Sequence, residues 1–421
     1  GGFCSGVVVS EDGLVFTNHH CGFSSIQQHS SVEHDYLKDG FVARSLEEEL
    51  PNPELYVRFL LRTENVTKRV LSAAKHAKTE SERRVAVDSV MNVIGMEVSE
   101  KDSTLTGIVD AYYAGNEFWL SVYRDYNDVR LVFAPPSSVG KFGWDTDNWM
   151  WPRHTGDFSV FRVYAGPDNR PAEYSPENRP YKAEKFLKIS LGGYDEGDFA
   201  MIMGFPGSTQ RYMTSYEIDR LLEVENPQRI FIRGERQAIL KEDMAASDKV
   251  RIQYASKYAQ SSNYWKNSIG KSRGIRRLDV KGRKQEQEAA FTAWAAKNTL
   301  PTEGYSNALN LIRESVEETA PYFASSQYLS EAIGRSVEIL APARLAVSKT
   351  GGELTEALKA FYKDYNMPTD RRVAKRMFRI VGENCKELPS VFAEVIDKQF
   401  GGDTDAYVDY PVSYTHLRAH E

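Results

Sequence analysis

Three cysteines in 421 residues are too few to frame a disulfide scaffold. A chain that is 41% hydrophobic is instead expected to hold together by burying apolar side chains. No apolar run approaches the ~20 residues of a membrane-spanning helix, so no such span is expected. Excess charge of one sign is also small. The net charge of −6 argues against a general binder of nucleic acid or of anionic membranes. There is no His-Glu-x-x-His zinc signature, no low-complexity linker and no internal repeat. No metal and no other cofactor is expected. The length exceeds what one compact core accommodates, and two or more domains are expected.

An initiator Met and a signal peptide are lacking too. Residue 1 reads as almost inside a strand, so an N-terminal piece is expected to be missing. Residues 412–421 (Val-Ser-Tyr-Thr-His-Leu-Arg-Ala-His-Glu) read like the translation of a sequencing adapter. The natural sequence is expected to stop near Pro411, and the chain is read as a fragment. His416 and His420 stand at the i, i+4 spacing of a helical metal pair. As part of the adapter-like tail they are left out of the functional argument.

Against these absences, the densest signal lies in residues 4–21. Two short apolar runs, 7–9 and 14–16, flank Glu11-Asp12-Gly13, the pattern of a β-hairpin. Antiparallel pairing would bring Cys4 and Cys21 within bridging distance, with His20 at the strand end beside the bridge. A loop of this size closed by a disulfide is worth ~3 kcal/mol in the chain-entropy treatment. One disulfide implies an oxidising compartment and leaves Cys385 as a free thiol on or under a helix. The layout resembles that around the base histidine of chymotrypsin-like serine peptidases, where a general base is held rigidly against a nucleophile. A hairpin that happens to carry a buried histidine and a thiol has the same pattern.

His154-Thr-Gly-Asp157-Phe-Ser-Val-Phe places an acid at the head of an alternating strand. There it could accept the Nδ1 hydrogen of a base histidine and fix its tautomer. An aspartate capping a turn before an edge strand reads the same. His19 and His20 compete for the base. As successive strand residues they would point to opposite faces. His20, next to the cysteine, is expected to face the cleft while His19 packs, and the opposed directions argue against a shared metal. A serine nucleophile is not assigned. No Gly-Asp-Ser-Gly or Gly-Asn-Ser-Gly occurs, no Gly-x-Ser-x-Gly nucleophile elbow is recognised, and Ser208 in Gly204-Phe-Pro-Gly-Ser208 reads as a tight turn. In a His…Asp…Ser order the nucleophile comes last, and it is expected beyond this chain.

Residues 144–151 (Trp-Asp-Thr-Asp-Asn-Trp-Met-Trp) crowd three tryptophans around Asn148. Exposed, they would wall a peptide end; buried, they would make an aromatic corner. Residues 266–284 hold eight basic residues against one acidic, read as a solvated helix and turn rather than a nucleic-acid surface.

The first half reads mainly as strands, at 55–61, 118–123, 129–133, 158–164 and 199–203, interrupted by a helical excursion over 66–96. From about 208 the pattern becomes amphipathic helices, at 217–225, 233–244, 285–297, 308–319, 329–340, 354–365 and 371–384. The expected domains are 1–208, a peptidase domain, and 209–411, an α-helical cap, with 412–421 the adapter-like tail.

Residues 4–22, 137–166 and 254–284 together resemble the bacterial dipeptidyl-peptidase 7 and 11 family of serine exopeptidases. Thr17-Asn-His-His-Cys-Gly22 and Asp147-Asn-Trp-Met-Trp-Pro-Arg-His-Thr-Gly-Asp-Phe158 carry the resemblance, which runs over nearly all of 1–411. Residues 160–174 and 255–270 read closest to dipeptidyl-peptidase 7, with its preference for hydrophobic P1 residues. The resemblance implies a chymotrypsin-like double β-barrel, antiparallel, with a large inserted α-helical domain and the second barrel incomplete here. It places the base on His20, the orienting acid on Asp157, and contacts to the substrate's free N-terminus and P2 backbone on Asn148, Trp149 and Asn263. The serine, the acid for the ammonium and the residue that reads P1 are expected outside this chain. The implied setting is a periplasmic or secreted homodimer acting on oligopeptides. An inactive peptide-binding relative, an endopeptidase on the same barrel and the Asp/Glu-specific dipeptidyl-peptidase 11 type are the alternatives.

Overall fold

The computed structural model describes residues 4–205, 207, 209–298 and 305–410. Ser208, His416 and His420 lie outside them. The chain divides into two compact units. One comprises the described parts of Gly1–His29, Asp35–Lys141 and Gly156–Gly207. The other comprises Ser30–His34, Phe142–Thr155 and the described residues from 209 onward.

The first unit carries all the described strands. β1 (Val7–Val8) and β2 (Leu14–Thr17) form the expected hairpin, with Val7 opposite Phe16. Gly13 closes its turn at φ +69°, and a Cβ there would meet the Val163 carbonyl at 2.8 Å. β3 (Phe41–Val42), β4 (Leu50–Pro51), β8 (Asp128–Ala134), β9 (Ser159–Ala165) and β10 (Arg179–Pro180) join them in a seven-stranded sheet whose central order is β1-β2-β9-β8-β3. β5 (Val57–Asn65), β6 (Leu105–Tyr112) and β7 (Glu117–Tyr126) make a second sheet, ordered β5-β7-β6. Every pairing is antiparallel, and among the described residues neither sheet closes into a barrel. The helix Glu80–Lys101 lays Val87, Ile94 and Val98 on the smaller sheet against Val109, Phe118, Leu120 and Val122.

The helical excursion expected over 66–96 is two helices, Thr67–Ala73 and Glu80–Lys101. Thr79 breaks them by accepting the Glu82 N–H as an N-cap. Residues 199–203, expected as a strand, form none. They are a continuous apolar run, Phe-Ala-Met-Ile-Met, but among the described residues no neighbour supplies a ladder, and Phe199 and Ile202 stand 88% and 100% exposed.

The second unit is helical. Ile232 and Leu240 of the helix Asn226–Ala246, Tyr254 of Asp248–Arg277 and Val373, Met377 and Ile380 of Met367–Asn384 fill its core. The helix expected over 329–340 is broken into a wide turn, Leu329–Gly334, and a helix, Leu340–Ser348. Side chains have taken the backbone partners there: Ser336 Oγ donates to the Glu331 carbonyl, and Asp370 accepts the N–H groups of Glu338 and Ile339. Burial, with Glu338 nearby, pushes the Asp370 carboxyl up to about 6. The 30-residue helix Asp248–Arg277 was not expected over its length. Its buried face carries Ser261, Ser262, Ser268 and Ser272, which blur the apolar period that signals a helix. Cys385 is a buried free thiol at the end of Met367–Asn384, and burial raises its pKa. No helix among the described residues is long and apolar enough to cross a membrane.

Candidate active site

β2 ends at Thr17, and Asn18 turns the chain directly into the helix His19–Gln28. Both histidines therefore sit in the first turn of a helix, not at a strand end as expected. Helical residues one apart diverge by about 100°, so the two rings still separate, by a different geometry. His19 is buried and His20 is exposed. The bridge beside them is formed: Cys4 and Cys21 are disulfide-bonded with 6.1 Å between their Cα atoms. Cys4, His20 and Cys21 cluster closely enough to suggest a metal site, but the disulfide occupies both sulfurs.

Asp157 stands just before β9, and its carboxylate engages His20 twice. Oδ2 lies 2.7 Å from His20 Nδ1, and Oδ1 accepts the His20 backbone N–H at 2.9 Å. With the carboxylate ionised, Nδ1 holds its proton toward Asp157 and the exposed Nε2 is the nitrogen left to accept one. This pair, 137 residues apart in sequence, is brought together by the β2–β9 ladder, whose last rung is Thr17 opposite Ser159.

His19 packs beneath this pair with its ring edge-on to Phe23, 5.5 Å between centroids. Gly140 lies flat against the ring: a Cβ there would sit 2.5 Å from His19 Cδ2. His19 Nε2 is buried without a hydrogen-bond partner. Burial, only partly opposed by the Asp157 charge, lowers its pKa to about 4. The unfolded chain, with an ordinary histidine near 6.5, therefore binds this proton first as pH falls. Stability contributed by neutral His19 is complete above pH 6.5 and drains away down to about pH 4. From pH 7 to pH 5 the loss is about 2 kcal/mol. Urea titrations at the two pH values should show His19→Phe losing less stability than the parent by roughly that amount.

The second unit carries the remaining candidates. Asn263, on the helix Asp248–Arg277, accepts through Oδ1 from Asn148 Nδ2 at 3.2 Å and from Trp149 Nε1 at 2.9 Å. The three residues named for substrate contact thus meet at one oxygen. Asn148 is buried, and its own Oδ1 accepts from Arg153 at 3.3 Å. Trp149 is 53% exposed and adopts φ +59°, a left-handed conformation that costs a non-glycine residue about 1 kcal/mol or more. Gly270 admits its backbone to the helix: a Cβ there would come within 3.0 Å of the Trp149 carbonyl. The tryptophan cluster is therefore neither wholly wall nor wholly core. Trp144, Trp149 and Trp151 are exposed around a buried Asn148.

Arg153 and Gly270 were missed, and only packing reveals them. So was Gly270-Lys-Ser272-Arg-Gly274, which does have the Gly-x-Ser-x-Gly spacing. A nucleophile elbow needs that serine on a sharp strand-to-helix turn. Ser272 lies instead within a helix, buried, accepting from Asn226 Nδ2 at 2.9 Å, and carries no nucleophile. An apolar cavity of about 380 Å³ in the first unit is lined by Cys4, Val8, Val15, Phe59, Phe161 and Phe205, among others. Neither His20 nor Asp157 lines it.

Comparison with known proteins fits this geometry. The chain is 48% identical over 417 residues to dipeptidyl-peptidase 7 of Porphyromonas gingivalis, covering 97% of this chain and 58% of the relative. It is 38% identical over 432 residues to the Asp/Glu-specific dipeptidyl-peptidase of the same organism, covering 97% of this chain and 59% of that one. The crystal structure of Porphyromonas endodontalis DPP11 in complex with the dipeptide Arg-Glu superposes with a TM-score of 0.86 at 35% identity, over 99% of this chain and 63% of that one. The chain thus spans less than two thirds of the length of each. Residues 1–421 match Peptidase S46 throughout, and the chain belongs to that family.

Proposed function

We propose that the protein is a serine-type dipeptidyl peptidase that removes dipeptides from the free N-termini of oligopeptides. The observation that carries this is the Asp157–His20 contact, 2.7 Å at Nδ1, on an imidazole open to solvent. A carboxylate that fixes one ring nitrogen leaves the other to take a proton from a nucleophilic hydroxyl and return it to the leaving amine. The nucleophilic serine is assigned to no residue of this sequence. His20 is the general base in this reading, and Asp157 orients it and stabilises its protonated form. Asn148, Trp149 and Asn263 hold the N-terminal end of the substrate. The scaffold would be a chymotrypsin-like double barrel carrying a helical insertion. The antiparallel pairing of both sheets and the likeness to DPP11 support that assignment, while neither sheet closes among the described residues.

A hydrophobic P1 preference is favoured over an acidic one on overall similarity to the Porphyromonas gingivalis pair, 48% to dipeptidyl-peptidase 7 against 38% to the Asp/Glu-specific relative, although the Capnocytophaga gingivalis pair reverses the order, 37% over 416 residues against 44% over 340. The same reading carries a homodimer, and a periplasmic or secreted setting that the Cys4–Cys21 bond supports. Its test is a time course of an unblocked oligopeptide with the full protein, followed by mass spectrometry. Successive losses of two residues from the N-terminus are expected. Internal cleavage products, or binding without any product, would replace this reading with an endopeptidase or an inactive peptide binder.

A further inference from the structure

We propose that Asn18 is a positioning residue that holds Asp157 in place against His20, an inference that rests on the base–acid reading of that pair. An asparagine at the residue before a helix ordinarily turns its side chain onto the N–H of the second or third helical residue. Asn18 occupies that place before His19–Gln28, with extended backbone (φ −71°, ψ 150°), yet its side chain makes no such bond. The N–H of the second helical residue, His20, goes to Asp157 Oδ1 instead. Asn18 Nδ2 turns to the same aspartate, 3.2 Å from its backbone carbonyl oxygen and 3.4 Å from Oδ2. The two residues have exchanged duties. The aspartate caps the helix, and the cap residue holds the aspartate.

Asn18 is itself fixed. Ser159, fully buried, donates its hydroxyl to the Asn18 carbonyl at 2.9 Å. Ser159 and Thr17 form the last rung of the β2–β9 ladder, so Asn18 and Asp157 lie just where sheet register stops constraining either strand. The asparagine amide extends that constraint by one further tie. It grips both the backbone and the carboxylate of Asp157, and the oxygen it reaches, Oδ2, is the one that meets His20 Nδ1. An amide neither gains nor loses a proton in the working range, so it can donate throughout a catalytic cycle without joining the proton transfer. Its effect falls on how often the imidazole stands ready. It should therefore appear in kcat and leave KM alone.

The test compares Asn18→Ser, Asn18→Asp and Asn18→Ala in the full protein, with Asp157→Asn as a control. Serine and aspartate cap helices about as well as asparagine, and alanine does not, but none of the three brings an amide donor to Asp157. Serine is too short, and aspartate sets a second carboxylate beside the first. The expected result is a kcat lowered about 10- to 100-fold in the serine and alanine variants at unchanged KM, the range for a lost hydrogen bond to a charged group. The aspartate variant should fall furthest. Melting temperatures of the serine and alanine variants should lie close together and near the parent, because Asp157 and not the Asn18 side chain caps the helix, which separates positioning from folding. Activity that follows the capping order, with serine and aspartate at the parent rate, would overturn the inference. So would a raised KM at constant kcat. If Asp157→Asn keeps its turnover, the base–acid reading itself fails. If it loses turnover while the Asn18 series follows capping, only the role of Asn18 fails.

Discussion

His20→Ala in the full protein is expected to lower kcat by about 10⁴-fold or more, because a hydroxyl nucleophile without its base attacks through a far less nucleophilic neutral form. Asp157→Asn should cost about as much with the fold intact. An amide at that place can present an N–H to Nδ1, which favours the tautomer whose Nε2 already carries a proton. His19→Ala should behave differently. Its ring is buried against Phe23 and Gly140, so the loss falls on stability, by a few kcal/mol for an emptied core site, with kcat within about tenfold of the parent. Steady-state kinetics with denaturation midpoints for the three variants check this. A collapse of kcat in His19→Ala with His20→Ala active would move the base to the other histidine.

Blocking the substrate's amine is the second large effect. Acetylating the N-terminus of a good dipeptide substrate is expected to bring cleavage close to background, a loss of up to about 10⁴-fold. A site that encloses an ammonium leaves its acceptors unpaired when an amide arrives in its place. Asn148 is suited to be one of those acceptors. It is buried, its Nδ2 is tied to Asn263, and its Oδ1 already accepts from a cation, the Arg153 guanidinium. Asn148→Ala should lower kcat/KM on free substrates by about 1.5–3 kcal/mol, the worth of a charge-assisted hydrogen bond. The acetylated substrate, already poor, should lose little more. Fluorogenic substrates, free and acetylated, against parent and variant give the four rates required. Equal cleavage of the acetylated and free forms would overturn the exopeptidase proposal in favour of an endopeptidase.

The pairing of His20 with Asp157 was legible because it rests on two local patterns, a hairpin ending in His-His-Cys and an acid heading an alternating strand. Each is set by near neighbours. The helix beginning at His19 was not legible. Asn18 is a good helix cap by composition, but its side chain does not cap, and the aspartate that does the work is 139 residues away. The strand expected over 199–203 misled for the converse reason: a short apolar run is suited to a buried strand, and pairing depends on a partner elsewhere. The meeting of Asn148, Trp149 and Asn263 came from the resemblance alone. No period or spacing links residues 148 and 263. Serines on the buried face of Asp248–Arg277 hid the helix that carries Asn263.

The helical unit is not one stretch of chain. Phe142–Thr155 belongs to it, and that excursion carries both donors to Asn263 Oδ1. For anyone building chimaeras between relatives, the transplantable module is therefore discontinuous. Moving the block from residue 209 onward by itself would pair one parent's Asn263 with the other parent's indole and amide, and one parent's Gly270 with the other's residue 149. A graft that keeps these hydrogen bonds intact has to carry two cassettes at once, and recombination breakpoints that survive should fall outside 142–155 rather than within it.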